Sequence, residues 1–221
     1  MENLLNKITL GDSLEVIKRL PNKSIDMVLT DIPYGEVNRK SNGLRDLDRG
    51  IADTVDFDIK ELITELTRVT KGSIYIFCGT EQVSDIRKFL VAEGLSTRLM
   101  IWEKTNPSPM NGDKIWLSGI ECCVYGKFPG ATFNEHCKNT VLRYPVCSGK
   151  KRIHKTQKPL QMFEYLIKVS SNEGDLILDP FSGSATTAVA CKRLNRNFIC
   201  IEKDEQYFIN SLTRLKEANN E

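Results

Sequence analysis

The sequence predicts a single α/β domain, a mainly parallel sheet with helices on both faces. Short apolar runs of strand length alternate with amphipathic stretches at helical spacing from Lys7 to Leu215. No internal repeat, low-complexity tract or linker of domain length interrupts that pattern, so residues 1–221 read as one unit. With 221 residues and 40% apolar side chains, the chain can bury one sizeable core.

Taken in order, KITL is a short strand, and Asp12-Ser13 starts a helix that runs through Leu20 and stops at Pro21. SIDMVLTD is a buried strand ending at Asp31. FDIKELITELTRVT places Ile59, Leu62, Ile63, Leu66 and Val69 at helical spacing, and Lys71-Gly72 ends that helix. SIYIFCG is a second buried strand, followed by a helix over 81–92 closed by Gly94. A strand over 97–103, the Pro- and Asn-rich loop TNPSPMNGD and the strand IECCVYGK suit an antiparallel pair at a sheet edge. Residues 128–157, rich in Gly, Pro and Lys, carry no strong period and read as loop. A helix over 159–170, strand DLILD, a helix over 184–194, strand NFICIE and a helix over 206–216 complete the chain. The long loops 35–56, 104–114 and 126–157 are candidates for function, because loops beyond about 12 residues in a compact domain usually carry it.

No apolar run approaches the roughly 20 residues a membrane span needs, and MENLLNKITLGDSL lacks the basic-then-apolar pattern of an export signal. The expectation is a cytoplasmic protein that meets no membrane. Seven cysteines without a CxxC pair fit reduced thiols, and Cys122, Cys123, His136, Cys137 and Cys147 match no common zinc spacing, so no metal is expected. Net charge is only +2, yet seven Lys or Arg and no Asp or Glu lie between His136 and Phe163. That segment either tracks a phosphate backbone or is a solvated basic loop.

Two motifs carry chemistry. In DLILDPFSGSATTAVA an apolar strand ends at Asp179, turns through Gly183 and opens a helix of small residues, and the next strand ends in Glu202. Ligands of open α/β sheets sit beyond the carboxyl ends of strands, where a glycine lets the backbone approach, and an acid about 20 residues on can hold ribose hydroxyls. A tight strand-to-helix turn is the plainer alternative, and the absence of GxGxxG disfavours a dinucleotide site. The second motif, Asp31-Ile32-Pro33-Tyr34, also ends a strand; alone it is equally a turn with a surface tyrosine. Together the two place polar sites along one sheet edge.

These motifs resemble the D-x-P-Y catalytic and DPFxGSGTT-type cofactor motifs of amino-directed DNA methyltransferases. Their order resembles the β group of that family, a circularly permuted arrangement. GDSLEVIKRLPNKSIDMVLTDIPYG, IWEKTNPSP and HKTQKPLQMFEYLI resemble the family's opening, W-x-K-x-N-x-x-P and H-x-T-x-K-P segments, so the likeness covers nearly the whole chain. It departs at Ile32, usually Pro, and at Ala185, usually Gly, which is expected to lengthen the helix start without blocking the cofactor.

The resemblance implies a class I S-adenosylmethionine-dependent methyltransferase fold, a Rossmann-like, circularly permuted mixed sheet of seven strands. It implies catalysis by Asp31, Ile32, Pro33 and Tyr34 on the N6 amine of adenine in DNA. N4 of cytosine is the nearest alternative; the family leans to Asp for adenine and Ser for cytosine at the first position. S-adenosylmethionine would lie against Asp179, Pro180, Phe181, Gly183, Ser184, Thr186 and Thr187. Glu202 and Lys203 would stand at the ribose, and Asp12, Asp31, Lys158 and Pro159 on the other side. The plainer alternatives are a core aromatic for Phe181 and a helix cap for Asp12. Arg39, Lys40, Arg45, Lys104, Asn106, Lys150, Lys151, Arg152, His154 and Lys155 are the candidate DNA contacts. A second copy of the chain and a cognate restriction endonuclease are the further partners the resemblance brings. A non-catalytic nucleic-acid-binding module is the remoter alternative, against which the intact Asp31, Tyr34, Gly183 and Glu202 argue.

Overall fold

In the computed structural model, residues 1–34, 56–109, 112–147 and 157–218 are described. The strands are β1 (Lys7–Leu10), β2 (Ile25–Asp31), β3 (Thr70–Cys78), β4 (Ser96–Lys104), β5 (Ile120–Lys127), β6 (Val141–Tyr144), β7 (Leu176–Asp179) and β8 (Asn197–Glu202). The helices are α1 (Ser13–Ile17), α2 (Ile59–Val69), α3 (Val83–Ala92), α4 (Leu160–Ser170), α5 (Thr186–Arg193) and α6 (Glu205–Glu217). One sheet runs in the order β1-β8-β7-β2-β3-β5-β4-β6. Only β5 runs against its neighbours, β3 and β4, so the carboxyl ends of the other seven strands share one edge.

Alternation along the strands divides the core in two. Val28, Ile74 and Ile76 face α1, α2 and α3, where Ile17, Leu62, Leu66 and Leu90 meet them. Met27, Leu29, Tyr75 and Phe77 face the other way, against Met162, Phe163 and Ile167 of α4 and Ala188 of α5. Successive side chains of a strand point to opposite faces, so the consecutive apolar residues Met27 to Leu29 and Ile74 to Cys78 require helices on both.

The expected class holds, with eight strands where seven are expected. The eighth, β6, lies inside the stretch read as loop and pairs parallel with β4, moving the β4–β5 pair one place in from the edge. It is four residues long with only Leu142 buried, so it has too few inward positions to register as a period. Helix α1 ends at Ile17; the Arg19 and Leu20 amides donate to the carbonyls of Val16 and Ile17, a tighter turn than the helix expected to Leu20. Lys71 and Gly72 belong to β3 rather than to a helix stop. A Cβ on Gly72 would stand 1.9 Å from the Asp26 carbonyl oxygen, so the close approach of β2 demands glycine. Helix α5 starts at Thr186, because Ala185 before it is left-handed (φ 59°, ψ 30°); the alanine precedes the helix instead of lengthening it.

Candidate active site

Between β7 and β2 the sheet reverses its winding, since β8 follows β7 to one side and β3 follows β2 to the other. Beyond the carboxyl ends there lies a cleft of about 360 Å3 walled by both sequence motifs.

On the β7 side, Asp179 organises the turn. Its Oδ1 accepts from the Phe181 amide (3.2 Å) and its Oδ2 from the Thr187 hydroxyl (2.5 Å). Burial pushes its carboxyl up to about 7, against the opposing pull of these bonds and of Thr30. Glu202 clamps the same turn from β8, accepting from the Gly183 amide (2.7 Å) and the Asp204 amide (2.8 Å). Arg214 of α6 reaches in behind, donating to the Ser184 carbonyl (2.7 Å), the Ser184 hydroxyl and Thr186. Gly183 is left-handed (φ 49°), and nothing lies within 4 Å of where its Cβ would be, so the backbone is bare toward the cleft. Phe181 lines the cleft and also packs on the core, its ring 5.1 Å from that of Phe57.

Asp12 is likewise both cap and wall. Its carboxylate accepts from the Leu14 and Glu15 amides and also pairs with Lys203, whose ammonium bonds to Asp56 as well. Pro180 lines the cleft with its carbonyl tied to Ser13; Thr187 lies behind the wall, and Pro159 caps α4. The wall therefore combines aromatic and backbone surface with the acids Asp12, Asp31, Asp56, Asp179, Glu202, Asp204 and Glu205. That set of acidic acceptors fits a nucleoside bearing a sulfonium cation and an ammonium group, as S-adenosylmethionine does.

On the β2 side, Asp31 ends the strand. The Ile32 amide continues the ladder, donating to the Phe77 carbonyl (3.1 Å), and the Ile32 side chain is 2% exposed in the core. Proline at this position would forfeit that hydrogen bond, which accounts for a residue the family pattern does not lead one to expect. The buried Gln82 takes the Pro33 carbonyl (3.1 Å) while accepting from the Gly79 amide (2.9 Å). Among the described residues nothing donates to the Ile32 carbonyl. Of the Ile32 and Pro33 carbonyls, Ile32's is the one without a donor among the described residues.

Asp31 belongs to a part-buried chain of charges centred on the buried Lys158. Tyr34 donates its hydroxyl to Oδ1 (2.5 Å), and the ammonium of Lys158 donates to Oδ2 (2.5 Å) and to the Tyr34 oxygen (3.2 Å). Lys158 also lies 3.0 Å from Oε2 of Glu121, whose Oε1 pairs with Lys104 at 2.9 Å. Burial raises the Asp31 carboxyl, with Lys158 opposing, and it drives the Tyr34 phenol well above its ordinary value, aided by Asp31. Burial works against the charged Lys158, yet Asp31 and Glu121 outweigh it and hold the ammonium above its ordinary value. For Glu121 burial is likewise opposed, and Lys158 and Lys104 bring the carboxyl below its usual range.

Of the candidate DNA contacts, Arg39, Lys40, Arg45, Lys150, Lys151, Arg152, His154 and Lys155 lie outside the described residues. Lys104 faces inward to Glu121, its side chain 13% exposed. Asn106 clamps its loop to Val146, accepting from the amide at 2.6 Å. Trp102 is core, donating to the Tyr144 carbonyl, and Trp116 is 96% exposed. Glu121, Gln82 and Arg214 are site residues that sequence reasoning missed. Only Glu121 carried a signal, as an acid within the apolar strand run IECCVYGK.

Fold and cleft together define a class I S-adenosylmethionine-dependent methyltransferase, with the Asp31–Tyr34 tetrapeptide on the cleft wall. Residues 113–211 match the family model described as DNA methylase. The chain is 32% identical to the type II methyltransferase M.HinfI of Haemophilus influenzae, with 98% of this chain and 70% of the relative covered. It is 30% identical to M.HpaI of Haemophilus parainfluenzae, covering 95% and 74%. The M1.HpyAVI–SAM complex superposes with a TM-score of 0.74 at 30% identity, over 95% of this chain and 98% of that one. The cytosine-N4-specific PvuII methyltransferase shares the fold (TM-score 0.75, 18% identity, 97% and 91% covered). The chain belongs to the N6-adenine/N4-cytosine family of S-adenosylmethionine-dependent DNA methyltransferases. Among the described residues no helix is long and apolar enough to cross a membrane.

Proposed function

We propose that this enzyme methylates the N6 amine of adenine at a specific DNA sequence, with Asp31 and the Ile32 carbonyl as the two acceptors that hold the amine. The observation that carries the reading is the position of Asp31, a part-buried carboxylate at the switch point opening into the same cleft as the Asp179–Thr187 turn.

The amine of adenine is a poor nucleophile because its lone pair is delocalised into the ring. Accepting both N–H groups, one on Asp31 and one on the Ile32 carbonyl, favours a pyramidal nitrogen whose lone pair points into the cleft. When bound, S-adenosylmethionine supplies an electrophilic methyl group whose carbon–sulfur bond breaks as the carbon–nitrogen bond forms. The amine then carries one proton too many, and the Asp31 carboxylate is placed to take it. Oδ1 is occupied by the Tyr34 hydroxyl, so the amine displaces that hydroxyl while the Tyr34 ring stacks on the extruded base. Positioning and fixed dipoles supply most of such a rate enhancement.

Asp12, Lys203, the 179–187 turn and Glu202 hold the cofactor in this reading, and the basic segment 150–155 with Arg39, Lys40 and Arg45 follows the phosphate backbone. Protein of this size offers limited surface to a duplex, which favours a homodimer; a cognate endonuclease and a cytoplasmic location follow from the same reading. The test is modified-base-sensitive sequencing of DNA from cells expressing the wild type or Asp31→Ala. The wild type should mark adenine within one short sequence and the variant should mark none. N4-methylcytosine would redirect the base assignment, and full methylation by Asp31→Ala would overturn the mechanism.

A further inference from the structure

We propose that Glu121 is a positioning residue for methyl transfer: by anchoring Lys158 on one oxygen of Asp31 it reserves the other oxygen for the amine, with Lys104 balancing its charge. The inference rests on Asp31 being the amine acceptor.

The geometry separates two kinds of contact. Lys158 aims its hydrogen bonds at Asp31 Oδ2 and the Tyr34 oxygen. Its 3.0 Å approach to Glu121 Oε2 is an ion pair without hydrogen-bond alignment, so Glu121 acts on it by charge more than by direction. Lys158 is 4% exposed and has Glu121 behind it, which leaves it nowhere better to go. Tyr34 is only part-buried and can swing away from Oδ1. An arriving amine therefore takes Oδ1, not Oδ2. Signs alternate along Asp31, Lys158, Glu121 and Lys104, so the network is neutral as a whole. The other titratable groups facing Asp31 are Tyr34, Cys78 of β3, Cys123 of β5 and Asp179 of β7.

Single-turnover transfer from tritiated S-adenosylmethionine to unmodified amplified genomic DNA, with enzyme in excess, from about pH 5 to about pH 10, tests this. Glu121→Gln removes a negative charge, so the acid limb should move down by roughly 0.5–1 pH unit. Lys104→Met removes a more distant positive charge and should move it up by a smaller amount. Mere structural damage lowers the rate without moving the limbs in opposite directions. Unmoved limbs, or limbs moving together, overturn the proposal; if Glu121→Gln does not fold, an unmoved limb in Lys104→Met does so alone. Asp31→Ala in the same series separates the failures. Transfer by that variant defeats the reading of the site, whereas its inactivity with unmoved limbs defeats only the role of Glu121.

Discussion

Replacing Lys158 by methionine leaves two carboxylates facing a neutral side chain. The lysine lies 2.5 Å from Asp31 and 3.0 Å from Glu121, and at 4% exposure water screens it little. Removing one partner of a buried ion pair typically costs about 3–5 kcal/mol, because the remaining charge is uncompensated. For a chain of this length that corresponds to a fall in Tm of roughly 6–20 °C. The sign of the pH dependence follows from linkage. Without Lys158 the burial of Asp31 is no longer opposed by an ammonium, so its folded-state pKa stands further above its unfolded one, and its contribution is fully present below the unfolded value and is lost as pH rises through the folded one. Urea unfolding of wild type and Lys158→Met at about pH 8 and about pH 5 should show a large deficit at the higher pH that shrinks at the lower. A deficit below about 1 kcal/mol at the higher pH, or one equal at both, would refute the charge network.

Asp179 is pushed up to about 7, so its contribution to stability is present at acid pH and is lost as pH rises from the ordinary carboxyl range toward that value. Asp179→Asn should flatten the urea midpoint over this window, and an unchanged slope would mean the carboxyl is not the source. Ala185→Gly relieves a left-handed alanine by roughly 1–2 kcal/mol but loses a buried methyl worth about 0.8 and adds about 0.4–1 of unfolded-state entropy. Its Tm should therefore stay within about 3 °C of wild type, and a much larger drop would show that the methyl packs more tightly than this sum allows. Glu202→Gln removes the charge that binds the Gly183 amide and faces the cleft, so calorimetry should find S-adenosylmethionine affinity down by roughly tenfold, with unchanged affinity counting against its place in the cofactor site.

What the sequence determined by itself is the local part. Which stretches form helices follows from period, and β2 and β3 were visible as continuous apolar runs of strand length, because strands covered by helices on both faces bury nearly every side chain. The two motif turns were visible for the same reason, being contiguous. The antiparallel β4–β5 pair was visible from the lengths of its strands and loop. Strand β6 was not, since one inward residue makes no period.

Tertiary structure decided everything that joins distant residues. Lys158 reaches Asp31 across 127 positions, and no local pattern records such a meeting. Arg214 and Gln82 look like ordinary helix residues until the fold brings them to Ser184 and Pro33. Lys104 reads as a free cation beside a loop, and only the sheet turns it inward onto Glu121. Ile32 is the sharpest case. As a letter it breaks a pattern; in the fold its amide extends β2 onto β3 and its side chain fills the core, which a proline could only half achieve.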